Sequence, residues 1–491
     1  MKRFFATILF VSLTICLSGQ QIVLPENHAR TYISDSIRIL PKRPVRAAIE
    51  IVGVNLTVWG FNHFVMNEEF AKIGKKSFKQ NLSSFPVWDT DKFSTNLIAH
   101  PYHGGLYFNA ARSNGISFWG SIPYTLGGSL MWEYFMENEL PSINDLFTTT
   151  FGGMEIGEIT FRLSDLFVDN RSSGSERVGR EILVTCISPL RGINRLITGE
   201  AWKRSPSKGR VFTSVPVYFH LYTGPRFLAE QERSKYGEWS QALGFNLTYG
   251  DPYSESEYDH YRPYEWFIMN ASVDLFSSQP FMTQLNAIGI LWGKNIKNTK
   301  NRSLTIGLFQ HFDFYDSQIK NKDKEKVAPY RISEAVAFGG GLVYLRKLTD
   351  AHPIEVKSSV YTNMIILGGS LTDHYFYDEK DYNLGSGYSI KTFTNLTFKK
   401  KIGFDIHAEN YHIYTWKGNN PDGTGKRHRS TQGDVGNSRL IVFSTRLSYL
   451  FDKKWNISFG NRFFTRHTHY KYYENTSYST NDYMLTVGYT L

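Results

Sequence analysis

The chain has 491 residues, a net charge of +10, 41% hydrophobic and 15% aromatic side chains, enough apolar material for several hundred packed residues, which excludes disorder as the main state. No run of 18 or more clean apolar residues follows the N-terminus, and the only cysteines are Cys16 and Cys186, so a helical multi-span transporter and a disulfide scaffold are both excluded. Thirty Tyr, 36 Phe and 10 Trp beside a mean hydropathy of -0.34 point to surfaces that are apolar on one side and wet on the other.

Met1-Lys2-Arg3, the apolar run Phe4 to Leu17 and the small Ser18-Gly19 have the layout of a secretory signal peptide over 1–19, followed by an N-terminal extension over 20–45. Residues 46–201 read as a helical domain. Ala47 to Met66, Leu97 to Arg112, Ser117 to Asn138 and Ser142 to Phe167 carry apolar residues at three- and four-residue spacing. Ser142, with Asp145 three positions on, predicts a helix start, because both side chains suit unpaired backbone N–H groups at a positive helix end. Gly152, Gly153 and Gly157 weaken that helix by about 1 kcal/mol each, so close packing against another backbone is expected there.

From 202 to 491 the period is two. Leu304, Ile306, Leu308, Phe312 and Phe314 alternate with Thr305, Gly307, His311, Asp313 and Tyr315, and Tyr483, Leu485, Val487, Tyr489 and Leu491 close the chain in the same manner. Twelve such segments are predicted, at 212–223, 240–250, 264–276, 281–293, 303–316, 332–346, 354–367, 386–398, 402–415, 437–450, 453–467 and 481–491. Strands of ten or more residues suit a tilted membrane crossing, and an even count suits a bacterial barrel. Counted back from the C-terminus, long connections alternate with short ones, as external loops alternate with periplasmic turns. The alternation fails at 251–263, which is long on the periplasmic side, and at 277–280, which is short on the external side. The expected architecture is a transmembrane β-barrel of about twelve antiparallel strands in the bacterial outer membrane. The helical domain is expected to plug its lumen or cap it from the periplasm.

The helical domain is dense in chemically capable residues: His100-Pro101-Tyr102-His103-Gly104, Arg112-Ser113-Asn114-Gly115, Trp132-Glu133-Tyr134, Pro141-Ser142-Ile143-Asn144-Asp145 and Gly152-Gly153 to Gly157-Glu158. Over roughly 96–200 this order of motifs resembles a bacterial domain-of-unknown-function family, number 3943. The resemblance implies an exported protein with a following β-rich region, and no established activity.

Three readings of the cluster follow from residue chemistry. His100, His103, Glu133 and Glu137 are metal-ligating types, but Pro101 argues against a continuous helix through both histidines, and neither a metal nor another cofactor is expected. His100 or His103 as general base, Ser113 or Ser121 as nucleophile and Glu133 as orienting carboxylate would make a lipid-modifying hydrolase. The preferred reading is structural: Glu155, Glu158 and Arg162 share a helix face, with Glu158 pairing Arg162 and Arg112 in a buried ion network. The basic residues are scattered, and the densest run, Lys426 to Arg429, falls in an expected external loop. The expected partners are therefore outer-membrane lipid, lipopolysaccharide phosphates and the barrel-assembly machinery, not nucleic acid. The expected role is envelope transport or a structural barrel, with the lipid-modifying hydrolase as the alternative.

Overall fold

The computed structural model describes residues 41–491 except 90, 171, 205–214, 231–232, 257, 321–324, 349–352, 377–379 and 422–431. The expected signal peptide, most of the expected extension and the basic run Lys426 to Arg429 lie outside the described residues. The helical region comprises α1 (Pro44–Gly60), α2 (Lys75–Ser83), α3 (His100–Ser113), α4 (Phe118–Phe135), α5 (Ile143–Phe147), α6 (Gly153–Asp165), α7 (Gly174–Ile187) and α8 (Pro189–Thr198). Short π segments follow α1 at Phe61–Met66, lead into α3 at Thr95–Ala99 and join α5 to α6 at Thr148–Gly152. The Ser142 cap is present: its Oγ accepts from the Asp145 backbone N–H at 3.3 Å. The glycines serve a helix crossing. A Cβ on Gly153 would stand 2.5 Å from the Gly104 carbonyl carbon, so only two glycines let α3 and α6 approach this closely.

Twelve strands form a closed barrel. They are β1 (Val217–Glu230), β2 (Arg233–Tyr249), β3 (Phe267–Leu275), β4 (Met282–Thr299), β5 (Arg302–Asp316), β6 (Arg331–Lys347), β7 (Ile354–Leu371), β8 (Tyr382–Phe398), β9 (Ile402–Thr415), β10 (Gly436–Leu450), β11 (Trp455–Tyr470) and β12 (Thr476–Thr490). Each pairs antiparallel with its sequence neighbour, and β1 closes on β12 through His220 opposite Thr490 and Leu221 opposite Tyr489. A separate two-residue ribbon, Ile319–Lys320 with Lys326–Val327, decorates the β5–β6 connection. The twelve-stranded barrel with an N-terminal helical region is thus the fold the alternation predicts.

Cross-barrel contacts identify the inner face. Lys391 on β8 meets Asp313 on β5, Arg462 on β11 meets Gln284 on β4, and the Tyr315 hydroxyl on β5 reaches Glu409 on β9 at 3.2 Å. Strands this far apart in the ladder share contacts only across the concave side. The lumen is crossed at several levels. A charged layer joins Lys391 to Asp313 and to Glu334 at 2.8 Å. A second holds Arg226 between Asp274 and Asp482, with Tyr330 stacked on Phe464 at 3.7 Å. The long connection 250–266, which broke the expected alternation, sends Tyr253, Tyr261 and Trp266 against the inward Ile288, Ile290, Phe309 and Tyr361. It occupies the space that the short β3 leaves beside β4, where the Tyr261 N–H donates to the Gly293 carbonyl at 2.7 Å.

On the outer face, positions alternating with the inward ones meet the helices. Phe93 packs on Phe314 of β5 and Tyr382 of β8, and Leu97 lies over Gly369 of β7. Gln310 of β5 donates to the Phe151 carbonyl at 2.8 Å, and Phe118 stacks near Tyr264. One apolar cluster joins Phe93, Leu97, Phe108, Phe118, Met154 and Ile159 to outward residues such as Leu247, Phe267, Leu285, Phe312, Val336 and Leu384. The expectation of a lumen plug is therefore corrected: the lumen-facing groups bind one another, and the helices lie on the outer wall of β2 to β8. A cap is matched only in part. Arg162 reaches Pro263 on the rim that bears the barrel termini, whereas Lys380 and Tyr382 on the opposite rim hold the segment 89–96.

Candidate functional site

Pro101 follows directly on the π turn Thr95–Ala99, where the backbone leaves the regular α-helical bonding that a proline would break, and the helix runs on through His100 and His103. The expected break at Pro101 is corrected on that ground. The two histidines point into different surroundings. His103 Nε2 lies 2.9 Å from the Tyr107 hydroxyl, whose one hydrogen goes to Asn55 Oδ1, and its ring meets Trp132 edge-on. Burial pushes its pKa down to about 3, so it stays neutral. Ser113 is ten residues along the same helix, roughly 15 Å from His103 at 1.5 Å per residue, and Ser121 donates instead to the Ser117 carbonyl at 2.9 Å. Neither serine has a histidine partner, which corrects the serine–histidine pairing.

His100 joins a different group. Its Nε2 lies 3.4 Å from Asp145 Oδ1, and Asn144 Nδ2 donates to both Asp145 Oδ1 and Asp89 Oδ1 at 2.9 Å. Asn96 Nδ2 donates to Asp89 Oδ1 at 2.6 Å. The arrangement is built by backbone pairing: Val87 N–H donates to the Pro141 carbonyl and Ile143 N–H to the Val87 carbonyl, both at 2.8 Å, which lays Asp89 beside the α5 cap. Glu133 adjoins it, accepting from the Ser142 N–H at 2.7 Å, with Glu137 one turn further along. Burial raises the Glu133, Glu137 and Asp145 carboxyls well above the usual range, and neighbouring carboxylates add to the effect. Burial lowers His100, while Asp89 opposes that shift.

The ion network expected on α6 is in place around Glu158, which takes Arg112 Nε at 2.7 Å and Arg162 Nε at 2.8 Å. Glu155 does not join it. Its turn faces the barrel wall, where both carboxylate oxygens are buried without a hydrogen-bond partner, and burial holds the carboxyl well above its ordinary pKa. Sequence reasoning missed Asp89, Asn96, Lys380 and Tyr382. Asp89 precedes the helical motifs with no diagnostic spacing, and Lys380, whose Nζ donates to the Asp89 carbonyl at 3.2 Å, comes from a barrel loop. Asn144, by contrast, stands inside the Pro-Ser-x-Asn-Asp motif.

The chain is similar to solved porin, channel and transporter structures. The NanC porin shares 10% identity over 56% of this chain and 100% of its own, at a TM-score of 0.26. The outer membrane channel DcaP of Acinetobacter baumannii shares 8% over 56% of this chain and 97% of its own, at 0.25. The Pseudomonas putida toluene transporter TodX shares 8% over 56% and 89%, at 0.21. At TM-scores this low the likeness carries no argument, and the barrel rests on its own closed ladder. No curated protein matches the chain in sequence. Residues 85–190, which contain Asp89, His100, Glu133, Asp145 and Glu158, match the family described as "Domain of unknown function (DUF3943)", and the resemblance carried by those motifs holds.

Proposed function

We propose that this is a bacterial outer-membrane barrel whose envelope role is carried by the helical domain on its outer wall, in contact with membrane lipid. The placement of the helices is the observation that carries this reading. They cover outward strand positions that in a membrane barrel meet acyl chains, and their own far side is apolar. Val45, Ile49, Val52 and Leu56 form an exposed stripe along α1, and Trp119, Leu126 and Leu130 form another along α4. The uncovered wall presents Leu308, Met364, Phe443, Phe459 and Leu485 in the same way. No helix among the described residues is long and apolar enough to cross a membrane, which suits a domain that leans on the barrel. The reading also requires export by a signal peptide, assembly machinery acting on the terminal strand, and lipopolysaccharide as the outer counter-charge.

Brominated acyl chains test it. Reconstituted in brominated lipid, the wild-type protein should lose more tryptophan fluorescence than Trp119→Phe, because Trp119 would touch lipid. Equal fractional quenching in the two proteins, with both folded, would defeat the reading. Transport through the lumen would require the Lys391 layer to part, so a steady wild-type conductance in planar bilayers would favour transport instead. The hydrolase alternative rests on the convergence of His100, Glu133 and Asp145 in a domain beside lipid, without Ser113. Unchanged outer-membrane lipid profiles on deleting the protein would remove it.

A further inference from the structure

We propose that Asp89, His100 and Asp145 bind a divalent cation of the zinc class, with the fourth position of the metal left to water. One nitrogen or oxygen atom from each of the three lies within 4.8 Å of the others, and His100 Nε2 and Asp145 Oδ1 stand 3.4 Å apart. Two ligands of a tetrahedral zinc ion, each about 2.0–2.2 Å from the metal, are separated by roughly that distance. Mixed imidazole and carboxylate donors are the set that suits zinc and its neighbours rather than calcium or magnesium.

Asn96 supplies the independent observation. It is fully buried beside the cluster, its Oδ1 has no hydrogen-bond partner, and its Nδ2 donates to Asp89 Oδ1 at 2.6 Å. The same Nδ2 donates to the Tyr382 hydroxyl at 2.6 Å, and that hydroxyl donates in turn to the Asp91 carbonyl at 3.0 Å, which fixes Asn96 beside Asp89. Asn144, bonded to both carboxylates, is the outer partner that fixes their orientation. Charge favours a cation as well. Lys380 directs its ammonium to the Asp89 backbone carbonyl, while the two carboxylates are held by the neutral amides of Asn96 and Asn144. A proton shared between Asp89 and Asp145 is the competing occupant.

Asp89, His100 and Asp145 all belong to the helical region, so the site does not depend on which membrane holds the barrel. Full-length protein in detergent, stripped with a chelator, is titrated with Zn²⁺ by calorimetry and with Co²⁺ by visible absorption. One equivalent of Zn²⁺ should bind, and Co²⁺ should give the intense visible bands of a tetrahedral site. Asp145→Asn and His100→Gln should lose binding, Asn144→Ala should weaken it about 10- to 100-fold, and His103→Ala should leave it unchanged. Circular dichroism shows whether each variant is folded. If a variant unfolds, the wild-type Co²⁺ spectrum decides the matter. Absence of a tetrahedral spectrum, binding of less than one equivalent of Zn²⁺, or Zn²⁺ binding that survives in folded Asp145→Asn and His100→Gln would overturn the proposal in favour of the shared proton.

Discussion

Glu158→Ala separates a helical domain on the wall from one inside the lumen. Glu158 is fully buried and neutralises two arginines, Arg112 and Arg162, whose side chains are only 13% and 10% exposed. Removing the carboxylate leaves two guanidinium groups facing one another, and breaking a buried pair by deleting one partner costs roughly 3–5 kcal/mol. The low end applies, because Arg112 keeps the Ile116 carbonyl and Arg162 the Pro263 carbonyl, each at 2.9 Å. At about 2–4 °C per kcal/mol for a domain of this size, a loss of about 3 kcal/mol lowers the helical unfolding midpoint by roughly 6–12 °C. The assay is circular dichroism at a helix-sensitive wavelength, run beside planar-bilayer conductance and gel heat-modifiability. The helical transition should move while conductance and the folded barrel band stay as in the wild type. A channel that opens on Glu158→Ala would refute the outer-wall placement, and an unmoved helical transition would refute the energetic reasoning.

Gly104→Ala should destabilise the same domain by about 1–3 kcal/mol or more, because the new Cβ overlaps the Thr149 carbonyl and lies 3.0 Å from Gly153 Cα; a helical midpoint equal to the wild type's would contradict the close crossing. In chelator, the raised Glu133, Glu137 and Asp145 carboxyls hold protons that the unfolded chain releases. Their contribution is therefore full below the ordinary values, 4.5 for the glutamates and 3.8 for Asp145, and lost as pH rises above them. Glu133→Gln should flatten the fall in helical stability as pH rises above 4.5, and an unchanged slope would count against a proton held at Glu133. His103 acts in the opposite sense: the unfolded chain takes up a proton below 6.5 that the folded ring refuses until about 3, so acid weakens the domain and His103→Phe should reduce that loss. Lys391→Met strands Asp313 and Glu334 in the lumen at a cost of roughly 3–5 kcal/mol, which should lower the temperature at which the folded gel band converts to the unfolded one.

The barrel was legible in the sequence because strand periodicity is local. Leu304 to Tyr315 alternate whatever else the chain does, and twelve such segments leave closure as the arrangement without open edges. The Ser142 cap and the Glu158 to Arg162 pair are likewise short-range, set by one helical turn. What the helices pack against is a long-range matter. Phe314 and Asp313 are adjacent residues on opposite faces, and only the closed ladder shows that Asp313 meets Lys391 across the lumen while Phe314 meets Phe93 outside. A polar domain in a wet lumen and an apolar domain on an outer wall draw on similar compositions. Glu155 follows the same logic: spacing puts it near the Glu158 face, but contact with the wall takes its turn away from the arginines. The Asp89, His100 and Asp145 trio is the furthest from the sequence. It needs the pairing of 87 with 141–143 and a barrel loop carrying Lys380, contacts between segments with no common period, and so it exists only once the chain is folded.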